Sequence, residues 1–322
     1  MPHGRPSDLR EPNVSTPFRP ISGLRSVGLA VPNYEESLAF YTSVWGLEVV
    51  AEDGGISFLG TVADPEQYVI RLRRSPDKRL DVVAFAVEDA ATIDRAAEHL
   101  ISSGVQIDRE PEKLQTPGGG YGLRFFDIDG RLIELSSDVA PKAYRDLEAR
   151  ESVPKALSHV VFNTPDINAT KEFYEDVLGF QLSDWNANFM CFLRCSPQHH
   201  TVALAKGPHT ALNHVSFETK GIDEFMRATG RLIRTGRKQL WGPGRHGAGD
   251  NTFAYFLDET GNIVEYTTEL ETVEDDATWE VRTFQGIGED ADQWGTGGDV
   301  REAMMPVMSN DPDRGLWTSS PV

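Results

Sequence analysis

Three residues with metal-binding side chains occupy similar places in three short apolar segments. His159 lies in Leu-Ser-His-Val-Val-Phe, His214 in Leu-Asn-His-Val-Ser-Phe, and Glu265 in Gly-Asn-Ile-Val-Glu-Tyr-Thr. The β-branched and aromatic residues in these segments predict strands. Because strand side chains alternate between faces, one inward side chain from each strand can reach a shared point. Two imidazoles and one carboxylate that leave coordination positions open are the ligand set of non-haem Fe(II) oxygen chemistry, so we predict a metal site.

The chain repeats its own pattern at an offset close to 132 residues. Residues 157–166 are similar to residues 24–33, and residues 256–265 are similar to residues 125–134. Each copy reads strand, helix and strands, and then the same order again. This predicts an α+β fold of two duplicated domains, each made of two βαβββ modules. The predicted parts are an N-terminal extension (1–19), a first domain (20–142), a second domain (154–270) and a C-terminal tail (271–322).

The elements of the second copy follow from local signals. Asp166 is predicted to cap a helix over 168–178, which ends at Gly179. A second helix is predicted at 223–235, and the glycine-rich stretch around His246 is predicted to be a loop. The predicted strands are 157–163, 180–184, 189–195, 200–205, 212–218, 252–257 and 262–267.

The two copies differ at the metal-binding positions. The aligned pairs are His159 with Ser26, His214 with Val82, and Glu265 with Glu134. One carboxylate without imidazoles is a poor site for a transition metal. Six of the eight histidines also fall between residues 159 and 246. The first domain is therefore predicted to be metal-free and structural.

Bulk properties exclude several classes of protein. The formal charge of −19 argues against a nucleic-acid partner, whose phosphates need a basic surface. No apolar run approaches the roughly 20 residues of a membrane span. Residues 1–20 show no signal-peptide pattern, so we expect a cytoplasmic protein without a membrane partner. Cys191 and Cys195 would lie about 13 Å apart on one face of a strand, too far for a disulfide.

These residues resemble a known family. The duplicated βαβββ pattern, with His159, His214 and Glu265 in its second copy, resembles the type I extradiol ring-cleaving (catechol) dioxygenases of the vicinal oxygen chelate superfamily. The resemblance covers residues 20–270. It implies Fe(II), or Mn(II) on the same ligands, as the metal and O2 as the co-substrate. It further implies a small aromatic diol or triol substrate in aromatic degradation, and a homo-oligomer.

Three further matches imply active-site residues. The segment Gln-His-His-Thr-Val-Ala-Leu is similar to the family segment that carries the acid–base histidine, which implies this role for His200. The segment Gly-Pro-Gly-Arg-His-Gly is similar to a family loop whose histidine faces the substrate, which implies a site role for His246. Tyr255, ten residues before Glu265, matches the active-site tyrosine. His200 would move protons, and Tyr255 and His246 would donate hydrogen bonds to the substrate oxygens.

The substrate class depends on the residue before that loop. Homoprotocatechuate-type relatives carry an arginine there that helps to bind a carboxylate, whereas this chain has Trp241. A flat apolar wall favours an uncharged catechol or a trihydroxybenzene. The predicted substrate contacts are Trp241, His199, Phe192 and Arg245. Arginines that could still supply a cation from the tail are Arg282, Arg301 and Arg314.

Other interpretations stay open at this stage. A glyoxalase-like isomerase of the same superfamily would also bind a metal but would not need His200, His246 and Tyr255 together. A non-catalytic small-molecule-binding protein of this fold would lack the metal centre. A catalytically inactive relative of the dioxygenases is a third alternative. Taken singly, His159 could be a core histidine, His200 a surface residue, His246 a turn residue and Tyr255 a core tyrosine. The tail is either a segment draped on the surface, or a lid or subunit contact.

Overall fold

The computed structural model describes residues 18–313, which form two large sheets, one in each copy of the repeat. The predicted fold class is confirmed, because each copy contains two consecutive βαβββ modules. The elements of the first copy are β1 (Ile21–Val31), α1 (Tyr34–Ala39), β2 (Glu48–Asp53), β3 (Ile56–Gly60), β4 (Ile70–Arg74), β5 (Arg79–Val87), α2 (Ala90–Ser102), β6 (Ile107–Lys113), β7 (Tyr121–Phe126) and β8 (Leu132–Ser137).

The second copy has the same order of elements and is followed by the tail. Its elements are β9 (Ala156–Thr164), α3 (Ile167–Glu172), β10 (Gln181–Asn186), β11 (Met190–Arg194), β12 (Val202–Lys206), β13 (Ala211–Glu218), α4 (Ile222–Arg234), β14 (Trp241–Arg245), β15 (Thr252–Leu257) and β16 (Ile263–Thr268). The tail contains β17 (Arg282–Phe284), a 3-10 turn (Gly288–Asp290) and α5 (Val300–Ala303).

The strand order shows that the two sheets are equivalent. The first sheet runs β2-β3-β4-β1-β5-β8-β7-β6, and the second runs β14-β15-β16-β13-β9-β12-β11-β10-β17. Two central antiparallel strands, one from each module, therefore join the modules in both sheets. In the second sheet these strands are β9 and β13, and β16 lies beside β13. The fold thus places the three segments that carry the predicted metal ligands on neighbouring strands.

The strand register confirms the alignment of the two copies. Ser216 pairs with His159 on one side and with Glu265 on the other. In the first copy Ala84 pairs in the same way with Ser26 and Glu134. The duplicated sequence therefore folds with one register, and differences between the copies are differences of side chains.

The carboxylate of the first copy has an arginine partner. Arg124 Nε and Nη2 lie 2.8 and 2.7 Å from Glu134 Oε2. Arg124 pairs with Glu134 across β7 and β8, as Tyr255 pairs with Glu265 across β15 and β16. A guanidinium therefore supplies positive charge where the second copy has a tyrosine and two imidazoles. This agrees with a structural role for the first copy.

Local signals located most elements of the second copy within two residues, with two corrections. The Asp166 side chain accepts a hydrogen bond from the Ala169 amide at 3.1 Å, so the predicted cap is confirmed. The helix predicted over 168–178 is not uniform, because α3 continues as a π-helical turn at Phe173–Val177. The stretch predicted as a loop before His246 is strand β14 at the sheet edge, where a proline costs no ladder hydrogen bond.

The two copies pack directly against each other. The ring of Trp45 stacks on that of Tyr266 with centroids 3.8 Å apart, and the Tyr41 hydroxyl donates to Asp258 at 2.9 Å. Both cysteines are free thiols, as predicted. Among residues 18–313, no helix is long and apolar enough to cross a membrane.

Candidate metal centre and active site

His159, His214 and Glu265 project from three adjacent strands onto one face of the second sheet. His159 and Glu265 flank Ser216 of the central strand β13. His214 lies two residues before Ser216 on β13, so its side chain points to the same face of the sheet as those of His159, Ser216 and Glu265. All three side chains are buried, and one potential ligand atom of each lies within 4.8 Å of the others. The structure thus brings the three predicted ligands together.

The unsatisfied atoms of this cluster fit a divalent cation. His159 Nε2 and His214 Nε2 lie 3.1 and 3.5 Å from Glu265 Oε2. Yet His214 Nε2 and both Glu265 oxygens are buried without a hydrogen-bond partner among the described residues. Buried polar atoms are rarely left unpaired unless an ion, a water or a function accounts for them. Two imidazole nitrogens and a carboxylate suit iron and manganese equally.

The charge of the cluster favours metal binding. Burial alone would raise the pKa of Glu265, but the neighbouring imidazoles of His159 and His214 outweigh it and lower the pKa. Burial also lowers the pKa of His214, although Glu265 opposes the shift. The carboxylate is therefore ionised and the imidazole neutral near pH 7, which are the forms that bind a metal.

Hydrogen bonds behind the candidate ligands orient their rings. His159 Nδ1 lies 3.0 Å from the Ser158 hydroxyl. His214 Nδ1 lies 2.8 Å from Asn213 Oδ1, which can only accept, so the ring hydrogen is on Nδ1 and the lone pair on Nε2. Asn213 Nδ2 in turn donates to Asn163 Oδ1 at 2.8 Å. Such outer contacts fix the tautomer and direction of a metal-binding histidine.

The Asn163 side chain connects the Asn213 side chain to the tail. Its Nδ2 donates to the carbonyl oxygens of Met308 and Ser309 at 2.8 and 3.0 Å. The C-terminal segment therefore determines which way the Asn163 amide faces, and through Asn213 it acts on His214. Nothing in the sequence signalled this connection, since the residues involved are more than 140 positions apart.

His200 lies beside the cluster, and its ring centroid is 4.3 Å from that of His159. Burial, followed by the neighbouring imidazoles, holds the pKa of His200 well below its usual value. Its Nδ1 lies 2.9 Å from Nδ1 of His199, whose Nε2 lies 2.8 Å from Asp184. Both ring nitrogens of His199 are thus engaged behind His200. The structure places His199 outside the cavity wall, so the expected substrate contact is not supported.

Tyr255 and His246 form a hydrogen-bonded pair on the other side of the cluster. His246 Nδ1 lies 3.1 Å from the Ala291 carbonyl and must donate to it. Burial lowers the pKa of His246 to about 4, so the ring is neutral and its Nε2 accepts from the Tyr255 hydroxyl at 3.0 Å. We expected His246 to donate to substrate; in this arrangement its cavity-side nitrogen is an acceptor.

A single apolar cavity, with about 710 Å³ of empty volume, joins these groups. Its walls include Trp241 and Phe192, as predicted for substrate contacts. Of the described residues that line it, none is a lysine or an arginine. The apolar lining residues are Val161, Phe189, Met190, Phe192, Trp241, Ala248, Ala291, Val300, Met304, Met305 and Met308.

The tail covers one side of the cavity. Its contributions to the wall are Gly286, Asp290, Ala291, Val300, Met304, Met305 and Met308. The Trp241 indole donates to the Gly298 carbonyl at 3.2 Å, so the tail is bonded to a ring that also lines the cavity. Of the two interpretations of the tail, this geometry favours the lid.

The arginines considered for substrate binding are engaged elsewhere. Arg245 is held by Asp250 and Glu269, and lies outside the cavity wall. Arg282 is bonded to Asp184 and Glu271, and Arg301 is bonded to Asp299. The prediction that Arg245 contacts substrate is therefore not supported, because acidic neighbours use its donors. Arg314 lies outside the described residues.

Comparison with known proteins agrees with this fold and site. The chain belongs to the Glyoxalase/Bleomycin resistance protein/Dioxygenase superfamily, whose model matches residues 23–135 and 156–266. It is 40% identical to the Mn(II)-bound glyoxalase from Novosphingobium aromaticivorans, with a TM-score of 0.88 over 93% of this chain and 98% of that one.

Two curated relatives are named as a metapyrocatechase and as an extradiol dioxygenase. Metapyrocatechase 2 from Cupriavidus necator is 29% identical over 219 residues, which cover 62% of this chain and 67% of that protein. An iron-dependent extradiol dioxygenase from Rhodococcus jostii (strain RHA1) is 25% identical over 271 residues, which cover 72% and 88%. The similar proteins thus include one named for iron and one named for manganese.

Proposed function

We propose that the chain is a metal-dependent extradiol dioxygenase, which uses O2 to open the ring of an uncharged catechol or trihydroxybenzene beside its two hydroxyls. One observation carries this proposal: His159 and His214 line one apolar cavity with His200, Tyr255 and His246, and Glu265 completes the cluster of candidate ligands within 4.8 Å of both imidazoles. A metal bound by the three ligands would acidify the diol and bring it together with O2.

Each neighbouring side chain has a role that its environment supports. His200 is neutral and lines the cavity, so it can take a proton from a diol hydroxyl and return it later. Burial, and then Glu265, raise the pKa of Tyr255 well above its usual value, so its hydroxyl keeps its proton as a donor. His246 accepts that hydrogen bond and holds the hydroxyl in place until substrate competes for it.

The cavity wall supports an uncharged substrate. A carboxylate buried there would find no cationic side chain among the described lining residues, and burying an unpaired charge is costly. Trp241 and Phe192 offer flat surfaces against which an aromatic ring can pack. We propose Fe(II) as the metal, with Mn(II) as the alternative that elemental analysis of the purified protein would reveal.

One observation favours a second candidate function. The structure with 40% identity is a Mn(II)-bound glyoxalase, and a glyoxalase-type isomerase would rearrange its substrate without consuming O2. Against it stands the position of all three candidate ligands in one copy of the repeat, with Glu134 of the other copy bound to Arg124. Oxygen stoichiometry separates the two functions.

Oxygen uptake is the direct test. The protein is loaded anaerobically with Fe(II) or Mn(II), mixed with uncharged catechols and trihydroxybenzenes in air, and followed by an oxygen electrode and by the yellow absorbance of a ring-opened product. We expect one O2 consumed per diol. Anaerobic conversion of a hemithioacetal, the adduct of a thiol and an aldehyde, with no O2 uptake from any diol, would instead establish the isomerase.

Two variants assign the activity to this site. His214→Ala should abolish both metal retention and O2 uptake. His200→Phe should retain the metal and slow turnover by about 100-fold or more, because general acid–base catalysis typically contributes that much. His99→Gln is the matched control: His99, in the first copy, bonds the Val177 carbonyl of the second copy and does not line the cavity, so its replacement should leave turnover unchanged.

A further inference from the structure

Behind His200 lies a line of buried polar groups that the proposed chemistry does not itself use. His200 Nδ1 contacts His199 Nδ1 at 2.9 Å, and His199 Nε2 contacts Asp184 Oδ2 at 2.8 Å. Asp184 and His199 are fully buried, and neither lines the cavity. Buried polar groups are costly unless they are paired, so this arrangement calls for an explanation beyond filling space.

The carboxylate at the end of the line determines where the hydrogens are. Burial would raise the pKa of Asp184, but hydrogen bonds from His199 and Arg282 outweigh it and lower the pKa. An ionised carboxylate can only accept hydrogen bonds, so His199 Nε2 carries a hydrogen and donates it. Arg282 donates to the same carboxylate from its backbone amide at 2.7 Å and from Nη2 at 2.6 Å. Arg282 also bonds Glu271, so its one positive charge is shared between two carboxylates.

In its neutral form, His199 determines through this hydrogen bond which nitrogen of His200 carries the hydrogen. A neutral imidazole has one donor and one acceptor, so Nδ1 of His199 is an acceptor. His200 Nδ1 must donate to it, which leaves the hydrogen of His200 on Nδ1 and the lone pair on Nε2. Since Nδ1 faces His199, the remainder of the His200 ring is the part that lines the cavity. A base needs its lone pair on that side.

We infer that His199 and Asp184 are positioning residues, which hold His200 in the tautomer whose Nε2 lone pair is available to a bound diol. In the reaction, the O–H bond of the diol breaks, its proton forms a new N–H bond on Nε2, and the Nδ1–H bond to His199 stabilises the resulting cation. The catalytic consequence rests on the proposed function, whereas the tautomer itself does not.

The alternative role for His199 is packing, because its ring lies between Phe192 and Trp279 with centroids 5.6 and 5.9 Å away. Two replacements of equal shape separate these roles. His199→Asn keeps an acceptor near the position of Nδ1, whereas His199→Leu does not. If His199 positions His200, kcat should fall less than about tenfold in H199N and at least about 100-fold in H199L, since general-base catalysis is worth that much. KM and metal content should be similar in both.

Asp184→Asn tests the direction of the hydrogen bonds. The donors of Arg282 should take the amide oxygen, so the amide nitrogen would donate to His199 and reverse every hydrogen along the line. The corresponding change in the Ser-His-Asp triad of serine proteases lowers kcat by about 10⁴ through the wrong tautomer. We expect a loss of about 10² to 10⁴ in kcat here, with metal content unchanged.

A spectroscopic readout keeps this inference separate from the proposed function. In metal-free protein with 15N-labelled histidines, at mildly alkaline pH, two-bond 1H–15N correlations report which ring nitrogen carries the hydrogen. The His200 signals are identified by their loss in His200→Gln. We expect the hydrogen on Nδ1 in the wild type and in H199N, and on Nε2 in D184N. A wild-type His200 with its hydrogen on Nε2, or equal kcat in H199N and H199L, would overturn the inference. Absence of ring cleavage with the expected tautomers present would refute only the proposed function.

Discussion

The amide chain behind His214 makes metal affinity depend on a residue that need not touch the metal. In Asn213→Leu the side chain keeps its shape but loses the oxygen that accepts from His214 Nδ1 at 2.8 Å. The ring is then free to rotate and to change tautomer, so its Nε2 lone pair is no longer directed at Glu265. Loss of such an outer hydrogen bond typically weakens metal binding by about 10- to 100-fold.

The size of the effect can be followed through thermal stability. Metal at 1,000 times its dissociation constant stabilises the native state by about 4 kcal/mol. A 100-fold loss of affinity would reduce this, at the same metal concentration, to about 1.4 kcal/mol. For a chain of this length each kcal/mol corresponds to about 2 °C, so the metal-induced rise in Tm should fall from about 8 °C to about 3 °C.

The assay combines chelator competition, which gives the metal affinity, with thermal unfolding in the presence and absence of metal. The metal-free Tm reports separately the cost of leaving His214 Nδ1 unpaired, about 1–3 kcal/mol. Asn163→Leu provides a graded comparison, because it removes the support of Asn213 and the contacts with Met308 and Ser309 but leaves the bond to His214. Its loss of metal affinity should be smaller. Unchanged metal affinity in N213L would refute the reasoning.

Three further predictions concern the rest of the chain. Arg124→Ala should lower the free energy of unfolding by about 3–5 kcal/mol, because it leaves Glu134 buried and unpaired, whereas replacing both residues with leucine should cost less; urea titration of the variants measures this. The hydrogen bond from Arg145 lowers the pKa of Glu151 to about 2. Glu151→Gln should therefore lower the free energy of unfolding by up to about 1 kcal/mol above pH 4.5. The difference from wild type should vanish as the pH falls through 2, where Glu151 becomes protonated. Met304→Trp should fill part of the cavity under the lid and raise KM for bicyclic diols more than for catechol itself, as steady-state oxygen uptake would show.

The candidate metal ligands could be predicted from sequence to lie together because their positions follow from strand periodicity. His159, His214 and Glu265 each occupy one position in an apolar strand, and the repeat supplied the alignment that the strand register confirms. The edge strand β14 could not be predicted, because its glycines and proline locally favour a turn. Pairing with β15 overrides that local preference.

The supporting residues could not be predicted, for a different physical reason. Asp184 lies on β10, and its contact with His199, 15 positions later, depends on how β10 packs against the irregular segment before β12. Asn213 precedes His214 directly, so a search for partners of candidate ligands could have found it. Val300, Met304 and Met308 recur every four residues, as on one face of a helix, but nothing in that spacing shows that they line the cavity.

The tail links enclosure of the cavity to the order of the site. Arg282 on β17 holds the carboxylate behind His200, while the carbonyls of Met308 and Ser309 hold the amide chain behind His214. The same segment supplies part of the apolar cavity wall. Because one segment makes all three contacts, we expect its detachment to open the cavity to water and to release His200 and His214 together. An open cavity would therefore be a poorly organised site, and a closed one would have both histidines aligned.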